Sequence, residues 1–394
     1  MPLRGTNNRE ENTPAVIFRD RKRDSQMERH RIVVLGGAGD MGSRVVNELS
    51  IESDVDITVA DFRLERAQAL ASKLGSSIHA EFVDAYSRES LRAVLQNADV
   101  VVNCIGPFYK FAFPVASAAI AEGVNYVDIC DDDDATMELL TLDRTAMRAG
   151  VTAVIGMGWT PGISNLLAMR GAAQFDRVTD IDLTWVGSTA DSEGIAVIAH
   201  VIHAVNRSCP VYLQGEWKKV PALSHAKRIE FPAPIGSVSA YVAGHPEAVT
   251  LPRFFPDVQN VVSRGYLLPH DMQNVTSGLL DLGLADEERK VAALAKLIQP
   301  LLPLLASLGD EPTLPLSAIR VDVTGLRDGV SRTVSYAAVD SMERLTGIPP
   351  AIVALMLARG QIRESGVFPP EGCLDQEAVL AELARREVEI EQLA

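Results

Sequence analysis

The sequence predicts an α/β protein with two parts: a doubly wound parallel sheet, then an α+β substrate or dimerisation domain with a mainly antiparallel sheet. Three observations carry this. Strand-like and helix-like stretches alternate from Arg31 to about Met157, as parallel strands joined by crossover helices require. A glycine-rich turn follows the first strand, where a doubly wound sheet places its phosphate-binding loop. Beyond Pro161 the alternation gives way to short strands broken by Gly and Pro.

In chain order, residues 1–29 are polar and charged and read as a poorly ordered leader. Ile32 to Leu35 is an apolar, β-branched run, the composition of a strand buried on both faces. It enters Gly37-Ala38-Gly39-Asp40-Met41-Gly42, a G-x-G-x-x-G, and then the helical Ser43–Leu49. In a Rossmann-type loop of this kind Gly37 permits the tight turn and Gly39 lets the backbone approach a pyrophosphate. Gly42 lets the helix pack on the strand, and the N-terminus carrying Asp40 and Met41 faces the phosphates.

The second strand ends at Asp61, nineteen residues past Gly42, where an acidic residue confirms the motif. A carboxylate there bonds the adenosine ribose and repels a 2′-phosphate, which favours NAD. Arg63, two residues on, can pair with that phosphate, so NADP is not excluded. Ile78–Val83 is the third strand, Val100–Cys104 the fourth, Tyr126–Ile129 the fifth and Val151–Ile155 the sixth, with one helix over Ala135–Ala149. Ligands bind beyond the carboxyl ends of such strands. Asp84, Asn103, Gly106, Pro107 and Asp128 therefore join the loop as candidate cofactor-binding residues.

Past Pro161, Thr179–Val186 reads as a strand and Ile195–Val205 as a helix. Several short strands follow, then a helical stretch over Val275–Ser307. Two strands flank Arg327-Asp328-Gly329, a hairpin turn signal. Pro350–Arg359 and Glu377–Glu391 read as closing helices.

Composition excludes several classes. The 394 residues carry a net charge of −15, which argues against a nucleic-acid surface. No apolar run approaches the roughly 20 residues that span a bilayer. The four cysteines are scattered without a C-x-x-C pair, so neither zinc nor a disulfide framework is indicated and a reducing, cytoplasmic location is expected. His200 and His203 stand at i, i+3 on an apolar helix without a carboxylate at helical spacing, so no metal site is predicted.

Several motifs together resemble the saccharopine dehydrogenase family, most closely its lysine 6-dehydrogenase type. They are Val102-Asn103-Cys104-Ile105-Gly106-Pro107-Phe108, Gly123-Val124-Asn125-Tyr126-Val127-Asp128 and Gly158-Trp159-Thr160-Pro161-Gly162-Ile163-Ser164-Asn165. Thr346-Gly347-Ile348-Pro349 and Gly366-Val367-Phe368-Pro369-Pro370-Glu371 follow near the end. The resemblance implies a dinucleotide-binding domain made of 30–160 and 341–394, with the substrate domain, 161–340, inserted between. It also implies a homodimer, and NAD(P)-linked hydride transfer at a carbon bearing nitrogen of a small amino-acid-like substrate. The chain departs from the lysine 6-dehydrogenase pattern at Asp131-Asp132-Asp133-Asp134, where glycines are expected.

That acidic run has two readings: it seats a substrate ammonium near the nicotinamide, or its members cap the next helix. Asp131 and Asp132 are the candidate catalytic carboxylates, with Tyr109 at the rim, and His245 and Arg264 as candidates to hold a substrate carboxylate. A short-chain dehydrogenase is the enzyme rival, but none of the seven tyrosines has Lys four residues on, as that class needs. A non-catalytic NAD(P)-binding sensor or scaffold is the non-enzyme alternative.

Overall fold

The computed structural model describes residues 29–191, 194–269, 277–279, 282–285, 287–307 and 314–393. The leader thus lies, but for Arg29, outside the described residues, as do the first two residues of the helical stretch expected from Val275.

The first sheet holds β1 (His30–Leu35), β2 (Val55–Asp61), β3 (Ile78–Phe82), β4 (Val100–Asn103), β5 (Asn125–Asp128), β6 (Thr152–Val154) and β15 (Gly366–Phe368). Their order is β15-β6-β5-β4-β1-β2-β3, and every pair is parallel. The chain runs outward from β1 to β3, then crosses back to β4 on the other side. This reversal opens a crevice at the carboxyl ends of β1 and β4. Alternation along β1 builds two cores. Ile32 and Val34 pack with α1 (Asp40–Leu49) and the helix Met342–Ala358; Val33 and Leu35 pack with α3 (Arg88–Leu95) and α4 (Phe108–Glu122), which lies on the other face. The helices α2 (Leu64–Leu74), α5 (Asp133–Leu140) and α6 (Asp143–Ala149) complete the crossovers. The single helix expected over Ala135–Ala149 is two, because the chain turns at Thr141, whose Oγ1 donates to the Glu138 carbonyl at 2.6 Å.

The second sheet has nine strands: β7 (Arg177–Ser188), β8 (Ser208–Leu213), β9 (Glu216–Pro221), β10 (Lys227–Glu230), β11 (Ser237–Val242), β12 (Asn260–Leu268), β13 (Ser317–Arg327), β14 (Val330–Asp340) and β16 (Glu391–Leu393). The main path is β10-β11-β12-β7-β13-β14-β16. β7 and β12 run parallel, the other neighbours antiparallel. Helix α7 (Ile163–Ala172) and helix α8 (Ile195–Val205) belong to this part, α8 packing on the helix Glu288–Ile298.

The C-terminal segment divides between the sheets. The helix Met342–Ala358 and β15 return to the first sheet, but β16 pairs with β14 over Ser335–Ala337. Assigning all of 341–394 to the first domain therefore needs correction at its last strand. Two helix ends also differ. The helix expected from Pro350 starts at Met342 and carries Pro349 and Pro350 inside it, since burial of Leu345, Ile348 and Ile352 in the core outweighs the local cost of proline. The last helix spans Gln376–Arg385, short of the expected Glu391.

Candidate active site

The loop after β1 is built from the backbone upward. The left-handed residue of the turn is Gly36, with φ +69°, rather than Gly37. A Cβ at Gly37 would instead lie 2.8 Å from the Val34 carbonyl oxygen. At Gly42 a Cβ would come within 2.2 Å of the Gly36 oxygen, so α1 rests directly on the turn. Gly39 is the N-cap of α1 and supplies no side-chain cap, which leaves the first amides, at Asp40 and Met41, free to meet an anion. Asp61, 5% exposed, accepts the Ala38 amide at 3.1 Å and the Arg63 amide at 2.9 Å, with Arg63 Nε 3.5 Å away. A glycine turn, an uncapped helix start and a strand-end carboxylate fit a dinucleotide.

Two predicted cofactor residues do other work. Asn103 and Asp128 are fully buried. Asn103 Nδ2 donates to Tyr126 Oη at 3.0 Å, and Tyr126 Oη donates to Asp128 Oδ2 at 2.7 Å. The Cys130 and Gly156 amides donate to Asp128 Oδ1. Burial pushes the Asp128 carboxyl up to about 6. These side chains brace the strand ends from within instead of lining the crevice, a correction that follows from their having their partners inside. Asp84 accepts the Tyr86 amide at 2.9 Å, a local turn beyond β3.

A cavity of about 190 Å³ lies between the two sheets. Met41, Cys104, Gly106, Pro107 and Asp131 line it from the first part, and Trp159, Trp185, His200 and His245 from beyond β6. Gly106 is required by close approach: a Cβ there would stand 2.8 Å from Ala196 Cβ on α8. The loop after β4 and α8 of the second part therefore meet over the crevice.

The acidic run is paired, residue by residue, with α8 and the turn after it. His200 Nδ1 lies 2.8 Å from Asp132 Oδ1 and 3.2 Å from Asp131 Oδ1. His203 Nε2 lies 2.9 Å from Asp134 Oδ2, and Arg207 clasps Asp133. The Asp132 side chain does not cap α5; its Oδ2 accepts the Tyr109 amide at 2.8 Å. Asp131 Oδ1, by contrast, takes no hydrogen bond. Burial, offset in part by His200, lifts Asp131 to about 6. Burial opposes the charge on His200, but Asp131 and Asp132 outweigh it and raise His200 to about 9. Asp131, Asp132 and His200 bring ligand atoms within 4.8 Å of one another, so the carboxylates missing at helical spacing on α8 arrive from the loop that leads into α5.

His245 is held from behind. Its Nδ1 lies 3.2 Å from Glu247 Oε2, and Glu247 Oε1 accepts Thr160 Oγ1 at 2.5 Å and Ser164 Oγ at 2.7 Å. Burial works against ionised Glu247, yet His245 and these hydroxyls hold its carboxyl below the usual range. The His245 ring stands 5.6 Å from Trp185 and 5.4 Å from His200.

Of the predicted catalytic residues, Asp131 and His245 line the cavity; the others are corrected. Asp132 lies behind His200 and positions it. Tyr109 stacks on His203, centroids 4.3 Å apart, because its helix runs alongside the clasp. Arg264 is spent on Asp182 across the β12–β7 pair. Sequence reasoning gave no role to Trp185, His200 or Glu247. The only signal for them was an apolar helix with two histidines and a His-x-Glu, neither specific alone.

A dinucleotide-binding loop beside a cavity between the two sheets fits an NAD(P)-linked dehydrogenase. Residues 32–154 match the family model for the saccharopine dehydrogenase NADP binding domain, and residues 158–388 the model for the saccharopine dehydrogenase C-terminal domain. The chain belongs to the saccharopine dehydrogenase family. Carboxynorspermidine synthase of Vibrio cholerae is 26% identical, covering 85% of this chain and 90% of its own length. Carboxyaminopropylagmatine dehydrogenase of a Synechocystis species is 24% identical, covering 89% and 94%. The solved apo saccharopine dehydrogenase (L-Glu forming) of Saccharomyces cerevisiae shares the fold, with TM-score 0.67, 18% identity and coverage of 93% of this chain and all of that one.

Proposed function

We propose that the chain catalyses NAD(P)-linked hydride transfer at a carbon bearing nitrogen in an amino-acid-like secondary amine. This is the saccharopine dehydrogenase-like form of the reaction rather than the lysine 6-dehydrogenase form. The relatives that match over most of the chain are named for carboxylated amines, which supports this choice. The observation that carries it is Asp131, which lines the cavity with His200, His245, Gly106 and Pro107 and whose Oδ1 takes no hydrogen bond, 3.2 Å from His200 Nδ1.

Bound NAD(P) supplies the hydride acceptor or donor. The protein's residues manage charge and protons. An amine must be neutral before hydride leaves its carbon, and a carboxylate raised to about 6 takes that proton more readily than an ordinary one. His200, held protonated by Asp131 and Asp132, keeps the paired carboxylates from repelling each other. Glu247 fixes His245 through Nδ1 and leaves its other ring nitrogen for substrate. Trp159 and Trp185, both buried, exclude water from the cleft.

The test is a screen of amino acids, and of oxo-acid/amine pairs in the reverse direction, following absorbance of the reduced cofactor with NAD and with NADP. Turnover of a secondary amine, lost in Asp131→Asn with cofactor affinity intact, is the expected result. No turnover with any member would overturn the proposal.

A further inference from the structure

The cavity extends away from Asp131 into a wall of a different kind. Val197 and Val201 of α8 face Leu294, Ile298 and Leu302, with Leu279 at the end. Leu294 and Leu302 belong to the packed cluster that joins α8 to the helix Glu288–Ile298, and Leu279 and Ile298 pack against it, so that side of the wall is held in place by its own core. Among the described residues lining the cavity, Asp131 is the one carboxylate, and neither Lys nor Arg occurs.

Charge bookkeeping points the same way. Asp131 and Asp132 share one protonated histidine, His200, which leaves a single net negative charge at the cavity's polar end. The nearby Glu247 lies behind His245 and does not line the cavity. One ammonium is therefore balanced. A second, a few methylenes away, would meet only leucine, isoleucine and valine among the described residues of that wall, where burial of a charge is strongly disfavoured.

We infer that the amine half of the substrate is a monoamine with an apolar chain, the nitrogen at Asp131 and the chain along the wall of α8 and residues 294–302, rather than a di- or polyamine. This rests on the amine-oxidoreductase reading above and departs from the relatives, whose names contain norspermidine and agmatine.

Isothermal titration of the full chain, with NADP at saturation, compares n-hexylamine, 1,6-diaminohexane and n-butylamine. Hexylamine should bind at least tenfold tighter than the diamine of equal length. It should also exceed butylamine by roughly tenfold, as burial of two methylenes gives. Ile298→Glu, which adds a carboxylate at the apolar wall, should move the preference toward the diamine. The native comparison decides the matter even if that variant misfolds. Equal or tighter binding of the diamine, or no saturable binding of hexylamine, overturns the inference. Tight hexylamine binding with no NAD(P)-linked turnover of any amine would support the apolar site while removing the reaction assigned to it.

Discussion

Single side chains decide the chemistry at this site, and two of them give direct tests. The proton-handling role is proposed for Asp131 because it alone of the four aspartates both lines the cavity and has an oxygen without a hydrogen bond. Asp131→Asn keeps the shape and removes the charge. The expected loss is on the order of 10²–10⁴-fold in kcat/KM, the usual size of a general-base contribution, with the Kd for cofactor unchanged. Unchanged turnover would return the aspartates to a purely structural role. Cofactor choice is proposed to rest on Asp61. Its oxygens hold the Ala38 and Arg63 amides, so Asp61→Ser loosens the loop as well as removing a charge beside Arg63. NAD should bind more weakly and NADP relatively better. A native preference for NADP in titrations would show that Arg63, half-exposed next to that carboxylate, sets the choice instead.

At the scale of elements, the clasp between the acidic run and α8 joins the two domains across the cleft. Its pH dependence follows from His200, whose folded value of about 9 stands above the ordinary 6.5. A group raised on folding contributes stability that is fully present below its unfolded value and lost as pH climbs through its folded one. The melting temperature should therefore fall between about pH 6.5 and 9, by an amount corresponding to no more than about 3 kcal/mol. His200→Gln should lower it at neutral pH and flatten that slope. A slope that persists in the variant would place the titrating group elsewhere. At α1, Gly39→Val puts bulk at the N-cap beside the Gly36 oxygen, already 3.2 Å from where a Cβ would sit. Both cofactors should bind at least tenfold more weakly in direct titration.

For the whole molecule the open question is assembly. β16 covers β14 only over Ser335–Ala337, and Val330–Thr333, at the hairpin end, is exposed. An uncovered edge invites pairing with another chain, and a homodimer through the second sheet is the expected assembly. Sedimentation at working concentration giving only monomer would reject it. Among the described residues no helix is long and apolar enough to cross a membrane.

The sequence alone determined the features that are local. β-branched runs, the G-x-G-x-x-G and its acidic residue nineteen positions on are short-range patterns, and each reports the strand, turn or helix start that it makes. They placed the parallel sheet, the loop and the crevice end of β4 without further help. Only the tertiary structure decided which side chains meet. Asp131 to Asp134 find His200, His203 and Arg207 about seventy residues away, and Glu247 reaches Thr160 across 87 positions. Likewise Asn103 and Asp128, strand-end residues that pattern assigns to a ligand, turn inward to Tyr126. Periodicity tells which face of an element is apolar. It carries no record of the distant polar partner that satisfies a buried carboxylate, and burial makes that partner obligatory.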